Sequence, residues 1–216
     1  MIYEKISKDV AYKMYEGVFR KDGKTPYIEH PAAIVEMLNK WGYNDDFANS
    51  IAWLHDAIEE NMMGINGRNE LADYLKKYIS ENYKDEKISF VDLQKKIVDQ
   101  VDVLTFYEND EPKTQVFQKM GLGKKFLKAK YLAEVVENSD FNGYIVKVAD
   151  RLCNTRDFIK SGSNGYAKIY FTKGEHLFSF MNYWYQMAEL EKNSGRIEVI
   201  KNAVKEIEKV FLEFKG

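Results

Sequence analysis

The chain has 216 residues, of which 45% are hydrophobic and 31% charged, a composition typical of a folded globular protein. Its 32 basic and 34 acidic side chains nearly cancel, which argues against dedicated nucleic-acid binding. A single cysteine, Cys153, excludes an intramolecular disulfide framework and suits a reducing compartment. The sequence shows neither an apolar run near the roughly 18 residues of a membrane span nor a signal-peptide pattern. We therefore expect a cytoplasmic protein without membrane contact.

The hydrophobic periodicity along the chain is almost wholly helical. A first helical segment is expected to end at Arg20 and Lys21. Asn44 is the expected N-cap of a helix that follows. Helices are predicted over residues 31–41, 44–60, 90–104, 124–138, 143–159 and 197–214, and loops over 21–27, 62–69, 107–113 and 160–166. Strand-like alternation is scarce, so the prediction is one all-α domain over 1–216, with about eight to ten helices and little or no strand.

Four ionisable side chains interrupt the apolar stretch IAWLHDAIEE at positions 51–60. They are His55, Asp56, Glu59 and Glu60. At 100° per residue these positions share one face of a helix, and the apolar residues lie mainly on the other. The group is either a polar face that only meets water or part of a metal site.

Two further segments carry chemistry-bearing residues. His30 directly precedes Pro31, which suits the first turn of a helix. In GYIVKVADRLCNTR a polar face is formed at i, i+3, i+4 and i+7 by Lys147, Asp150, Arg151 and Asn154. Cys153 shares the opposite apolar stripe and is expected to be a packed thiol. His176 has no motif around it, which favours a structural or surface role.

In order along the chain, these motifs resemble those of the HD-domain metal phosphohydrolases. FRKDGKTPYIEHP is similar to the RKxGxPYIxHP segment, LHDAIEE to LHDxxED, and KVADRLCNTRD to KxADRLxNxRD of the RelA/SpoT-type (p)ppGpp-hydrolase branch. The resemblance covers roughly residues 8–160. It implies a helical HD core, with the C-terminal helices over 165–216 packing on it.

The resemblance also implies roles for individual residues. It makes four residues the ligands of one divalent metal ion: His30, His55, Asp56 and Asp150. It gives catalytic roles to Glu59 and to Glu60, which stands where the family usually has Asp. The expected substrate contacts are Arg20, Lys21, Lys147 and Asn154.

The chemistry of these residue types agrees with the resemblance. Two imidazoles and two carboxylates suit Mn²⁺ as the first candidate, with Fe, Zn and Mg as alternatives. A divalent ion activates water and polarises a phosphoryl group, and Glu59 could orient or deprotonate that water. Lys and Arg side chains hold phosphate charge.

The expected substrate is a phosphorylated nucleotide. If the resemblance extends to the substrate, the reaction removes the 3′-pyrophosphate of guanosine tetra- or pentaphosphate. The alternatives are an HD-type nucleotidase or phosphodiesterase acting on another nucleotide, and a catalytically silent HD module that serves as a sensor or binding surface. The sequence gives no signal for the oligomeric state.

Overall fold

The computed structural model describes residues 1–107 and 124–214. Regular structure in these ranges is helical, apart from an isolated bridge between Phe19 and Pro26, and this confirms the predicted all-α class. None of the helices in these ranges is both long and apolar enough to cross a bilayer. The predicted loop over 107–113 falls, except for its first residue, outside the described residues.

The chain forms two compact units, the first comprising 1–36 and 44–105 and the second 37–43 with 106–216. The first unit contains α1 (Ile2–Met14), most of α2 (Glu29–Lys40), α3 (Asp46–Leu54), a 3₁₀ turn (Met62–Gly64) and α4 (Arg68–Asn82). It ends with α5 (Phe90–Asp92), a π-helical segment (Leu93–Val98) and α6 (Asp99–Leu104), which follow one another without a break. The single-domain organisation stays a prediction.

The second unit contains six further helices among its described residues. They are α7 (Lys124–Asn138), α8 (Phe141–Lys160), α9 (Asn164–Thr172), α10 (Glu175–Ser179), α11 (Met181–Leu190) and α12 (Ser194–Glu213). The core of this unit includes the stripe of α8 that was predicted from its periodicity: Ile145, Val148, Ala149, Leu152 and Cys153 are all buried. The expectation of a packed thiol at Cys153 is therefore confirmed.

The start of α3 is fixed by two adjacent aspartates. Asp45 is the N-cap, because its carboxylate accepts hydrogen bonds from the backbone N–H groups of Phe47 and Ala48, both at 2.9 Å. The prediction of Asn44 as the cap is wrong by one residue. The Asp46 carboxylate accepts a hydrogen bond from the backbone N–H of Glu4 at 2.6 Å. This N–H lies in the first turn of α1, where backbone N–H groups have no partner within the helix.

The first helix ends earlier than its sequence pattern suggests. α1 ends at Met14, and the prediction that it reaches Arg20 and Lys21 is wrong. The chain reverses at Gly17, whose φ of 71° is a conformation that glycine adopts without steric cost. Arg20 then lies in a hairpin-like loop, where its backbone N–H donates to the Thr25 carbonyl at 2.8 Å.

Gly174 lies at a close approach between α8 and the start of α10. A Cβ atom at this position would lie 3.1 Å from the Phe171 carbonyl oxygen and 3.2 Å from both Arg151 Nε and Phe178 Cε2. Arg151 is held there, since its guanidinium donates to the Tyr170 carbonyl and lies over the Tyr170 ring at 3.5 Å. A side chain at position 174 must therefore displace a backbone carbonyl and a buried guanidinium.

We predict that Gly174→Ala lowers the free energy of unfolding by about 1–3 kcal/mol, because the added methyl overpacks this contact. Urea denaturation followed by circular dichroism measures the change. Gly165→Ala is the matched control, since Gly165 lies in α9 with open space around its Cα. Alanine there should be neutral or stabilising by about 0.5–1 kcal/mol. Equal stabilities for the two variants would contradict the close approach.

Candidate metal centre

His30 enters the centre from the first turn of α2. This helix begins at Glu29, and the His30 side chain is buried, with 4% of the residue exposed. Pro31 follows at the third helical position, where its missing N–H removes no intrahelical hydrogen bond. The sequence His30–Pro31 therefore starts the helix and places the imidazole at a fixed point near its N-terminus.

His55 and Asp56 enter from the end of α3. The predicted helix over 44–60 is too long as a regular α-helix, which ends at Leu54, and the residues that follow form successive turns. One helical bond persists, from the Glu60 N–H to the Asp56 carbonyl at 2.9 Å. The chain then ends this segment at Asn61, whose φ of 50° and ψ of 44° are left-handed.

The hydrogen bonds around Asn61 form a Schellman motif. The N–H of Met62 donates to the Ala57 carbonyl at 2.9 Å, and the N–H of Asn61 donates to the Ile58 carbonyl at 3.0 Å. Met62 is buried and anchors the reversal. The apolar residues that the sequence placed behind the ionisable face, Ile51, Leu54, Ala57 and Ile58, are buried as expected.

Three of the predicted ligands lie together. Asp56 Oδ2 is 3.1 Å from His55 Nε2 and 3.6 Å from His30 Nε2, and the two imidazole ring centres are 5.1 Å apart. One ligand atom from each residue lies within 4.8 Å of the others, so the group could hold a metal ion. Both histidines are buried and Asp56 is partly exposed, which leaves the group reachable from solvent.

A hydrogen bond fixes the orientation of His55. Its Nδ1 lies 2.8 Å from the Ala52 carbonyl oxygen. A carbonyl only accepts, so this contact places a proton on Nδ1 and turns Nε2 toward Asp56. The lone pair of a neutral Nε2 would repel a carboxylate oxygen at 3.1 Å unless a proton or a cation shares the space. Metal-binding histidines have the same arrangement, with the second ring nitrogen donating to a carbonyl or carboxylate. The donor set therefore fits a divalent ion.

Tyr27 is a site residue that the sequence reasoning did not single out. Its hydroxyl donates to Asp56 Oδ2 at 2.7 Å, and its ring stacks on Tyr15 with centres 4.9 Å apart. Burial, followed by the charges of Asp56 and Glu60, raises the pKa of both tyrosine hydroxyls. Both phenols are therefore protonated at neutral pH, which makes Tyr27 a hydrogen-bond donor. The sequence signal that could have identified Tyr27 as a site residue is its position in FRKDGKTPYIEHP, three residues before His30.

The two glutamates of IAWLHDAIEE are exposed. Because the Glu60 charge acts on the pKa values of Tyr15 and Tyr27, its carboxylate lies within electrostatic range of the two hydroxyls. Glu60 therefore belongs to the surroundings of the site despite its departure from the family motif. The catalytic roles of Glu59 and Glu60 stay predictions.

The predicted phosphate-binding residues Arg20 and Lys21 lie in the loop before Tyr27. The Arg20 guanidinium is 5.7 Å from the centre of the Tyr27 ring, which brings this cation to the same side chain that contacts Asp56. Lys21 is exposed. Substrate binding by either residue stays a prediction.

The remaining predicted site residues lie on α8, which belongs to the second unit. Lys147 Nζ lies 3.0 Å from Asp150 Oδ2, and Asn154 Nδ2 donates to Asp150 Oδ1. The expected shared face at i, i+3 and i+7 is thus confirmed by contacts between the side chains. Lys147 and Asp150 are buried, with 7% and 4% of each residue exposed. Metal binding by Asp150 and substrate binding by Lys147 and Asn154 stay predictions.

In the comparisons with known proteins, no protein-family model, no curated protein and no solved structure matches this chain. The resemblance to HD-domain phosphohydrolases stays a prediction from the three sequence motifs. On chemical grounds alone, His30, His55 and Asp56 are a set that could hold a metal ion.

We predict that the Asp22 carboxyl titrates near pH 2. The Thr25 hydroxyl, followed by the backbone N–H groups of Lys24 and Thr25, lowers the pKa of Asp22 from 3.8 to about 2. Ionised Asp22 therefore stabilises the Arg20 loop above about pH 3.8, and this contribution is lost as the pH falls toward 2. An NMR titration of the Asp22 carboxyl carbon measures the midpoint, and a value near 3.8 would show that the loop hydrogen bonds are not formed.

We predict that Lys147→Met destabilises the metal-free protein by about 3–5 kcal/mol, because it leaves the buried Asp150 carboxylate without its cation. The double variant Lys147→Met, Asp150→Asn should regain most of this loss, since the carboxylate charge is removed together with the lysine. Denaturant unfolding of Lys147→Met, Asp150→Asn and the double variant measures the coupling. Lys130→Met is the control: it breaks a half-exposed pair with Glu134 and should cost less than about 1 kcal/mol. Strictly additive effects would contradict a buried ion pair.

Proposed function

We propose that this protein is an HD-type metal-dependent phosphohydrolase that acts on a phosphorylated nucleotide. The observation that carries the proposal is the buried group of His30, His55 and Asp56, in which the Ala52 carbonyl fixes the orientation of His55. A surface polar face, the alternative interpretation of IAWLHDAIEE, does not require two buried imidazoles directed at one carboxylate.

His30, His55 and Asp56 would hold the metal ion through imidazole nitrogens and a carboxylate oxygen. The resemblance adds Asp150 as the fourth ligand, an assignment that rests on the motif. Mn²⁺ is the first candidate for a mixed nitrogen and oxygen set, ahead of Fe, Zn and Mg. When bound, such an ion supplies Lewis-acid chemistry, lowering the pKa of water and polarising a phosphoryl oxygen.

The chain's own side chains supply the remaining steps. Glu59, assisted by Glu60, would accept a proton from the attacking water as its oxygen forms a bond to phosphorus. The phosphorus–oxygen bond to the leaving group breaks in the same displacement, and the leaving oxygen takes a proton from solvent. Arg20 and Lys21 would hold the phosphate charges, Arg20 through its planar fork and Lys21 as a point charge.

The substrate class that we favour is guanosine 3′,5′-bis(diphosphate) and its pentaphosphate homologue. Hydrolysis at the 3′ position would release pyrophosphate and leave the 5′-phosphorylated nucleoside. This choice rests on the three motif resemblances. An HD-type nucleotidase or phosphodiesterase would use the same metal and carboxylates on another nucleotide, and a catalytically silent module would keep the metal without turnover.

One experiment separates these functions. The purified protein is stripped with a chelator, reloaded with Mn²⁺ and incubated with guanosine 3′,5′-bis(diphosphate), ordinary nucleotides and cyclic nucleotides, and the products are identified. Pyrophosphate release that needs Mn²⁺ supports the favoured substrate. Turnover of other nucleotides alone refutes that substrate and keeps the mechanism. Activity that survives complete metal removal refutes the mechanism, and metal binding without any turnover favours the silent module.

We predict that His30→Ala and His55→Ala each abolish stoichiometric Mn²⁺ binding and reduce the activity to that of the metal-free protein. Each change removes an imidazole that would hold the ion. His176→Ala is the matched control, because the third histidine of the chain is exposed on α10 and is no member of the group of His30, His55 and Asp56. Calorimetric titration with Mn²⁺ measures the stoichiometry. Full binding by either variant would contradict the assigned centre.

A further inference from the structure

We propose that Tyr27 is a positioning residue that holds Asp56 in its metal-binding orientation and thereby sets the metal affinity of the centre. This inference rests on the proposed function, since it presumes that Asp56 is a ligand. Tyr27 would act through its hydrogen bond to Asp56, without touching the metal or the substrate.

The first argument is the identity of the atom that Tyr27 contacts. Its hydroxyl donates at 2.7 Å to Oδ2 of Asp56, the same oxygen that lies nearest to both imidazoles. Asp56 is partly buried, with 14% of its side chain exposed. The hydrogen bond from Tyr27 opposes rotation of the carboxylate and keeps Oδ2 facing His30 and His55.

The second argument is that Tyr27 is itself fixed. Its ring stacks on Tyr15 at an interplanar angle of 18°, and Tyr15 is only 2% exposed. It also meets His30 edge-on, with ring centres 6.3 Å apart. Its backbone N–H donates to the Val18 carbonyl at 2.8 Å. A donor held by packing and by its backbone can orient a ligand that is held less firmly.

The third argument is chemical. A phenol donates a hydrogen bond to a carboxylate without adding a positive charge, whereas a Lys or Arg at this position would compete with a cation for Asp56. The carboxylate therefore keeps its negative charge while its direction is fixed. Hydrogen-bonded partners of this kind typically change metal affinity by about 10- to 100-fold when they are removed.

The test is Tyr27→Phe, which removes the hydroxyl and keeps the ring stacked on Tyr15. Tyr83→Phe is the matched control. Tyr83 lies in the same unit and donates to an aspartate, Asp9, that is no part of the metal group. Mn²⁺ affinity is measured by electron paramagnetic resonance titration of the stripped proteins, and thermal unfolding reports the stability of each variant.

We expect Mn²⁺ to bind Tyr27→Phe about 10- to 100-fold more weakly than the wild type, with Tyr83→Phe unchanged. We also expect kcat of Tyr27→Phe to return to the wild-type value once Mn²⁺ is saturating, because positioning is then complete. Replacement of Tyr27 by 4-aminophenylalanine, which keeps the ring and an N–H donor, should restore most of the Mn²⁺ affinity. This second variant also tests the inference if the phenylalanine variant folds poorly.

Several results would overturn the inference. Equal affinity in the wild type and Tyr27→Phe would remove the positioning role, and an equal loss in Tyr83→Phe would reduce it to a stability effect. A kcat that stays low at saturating Mn²⁺ would make Tyr27 a participant in the reaction. If the wild type binds no Mn²⁺, the proposed function fails, whereas normal wild-type binding with an unaffected Tyr27→Phe refutes the present inference alone.

Discussion

The candidate centre depends on a single carboxylate oxygen, Oδ2 of Asp56. His55 and His30 approach it from two helix ends, and the Tyr27 hydroxyl donates to it. An anionic oxygen facing two imidazoles is stable only if a proton or a metal ion compensates the lone pairs directed at it. The hydrogen bond from His55 Nδ1 to the Ala52 carbonyl directs Nε2 at this oxygen, the arrangement that metal-binding histidines have. Three segments bring their polar groups to this oxygen: the end of α3, the start of α2 and the loop before α2.

In the second unit, a buried carboxylate is compensated by side chains of its own helix. Asp150 is buried, and its two oxygens are shared between Lys147 and Asn154 on the same helix. Burying an ion pair costs desolvation, so its net contribution to stability is small even though breaking it is expensive. The contacts with Lys147 and Asn154 also fix the position of the Asp150 carboxylate. The motif that contains Asp150 was singled out by its resemblance to a family sequence, and in the structure Lys147, Asp150 and Asn154 form one group of contacting side chains.

Comparison of the expected and observed elements shows where sequence patterns succeed. The helices over 124–138, 143–159 and 197–214 were predicted because each has a long apolar stripe with period 3.6. Helix α4 was not predicted, and the short helices α9, α10 and α11 were expected only as C-terminal helices within 165–216, without individual bounds. Short helices bury only a few residues each, such as Leu177 in α10, so their stripe is too brief to stand out from a loop. Tertiary packing, more than local propensity, decides whether such segments are helical.

The sequence by itself determined the all-α class, the metal-ligand residue types and the order of the three motifs, because periodicity and residue chemistry are properties of local sequence. Tertiary structure decided that His30, 25 positions away from His55, lies within ion-binding reach of it, and that Tyr27 contacts Asp56. It also decided that α3 ends at Leu54 instead of continuing to Glu60 as expected. The turns that follow end at left-handed Asn61, with hydrogen bonds from the Met62 and Asn61 N–H groups to the Ala57 and Ile58 carbonyls. The physical reason is that hydrogen bonds between distant segments, and the reversals that allow them, depend on how packed helices meet and carry no periodic signal in the chain.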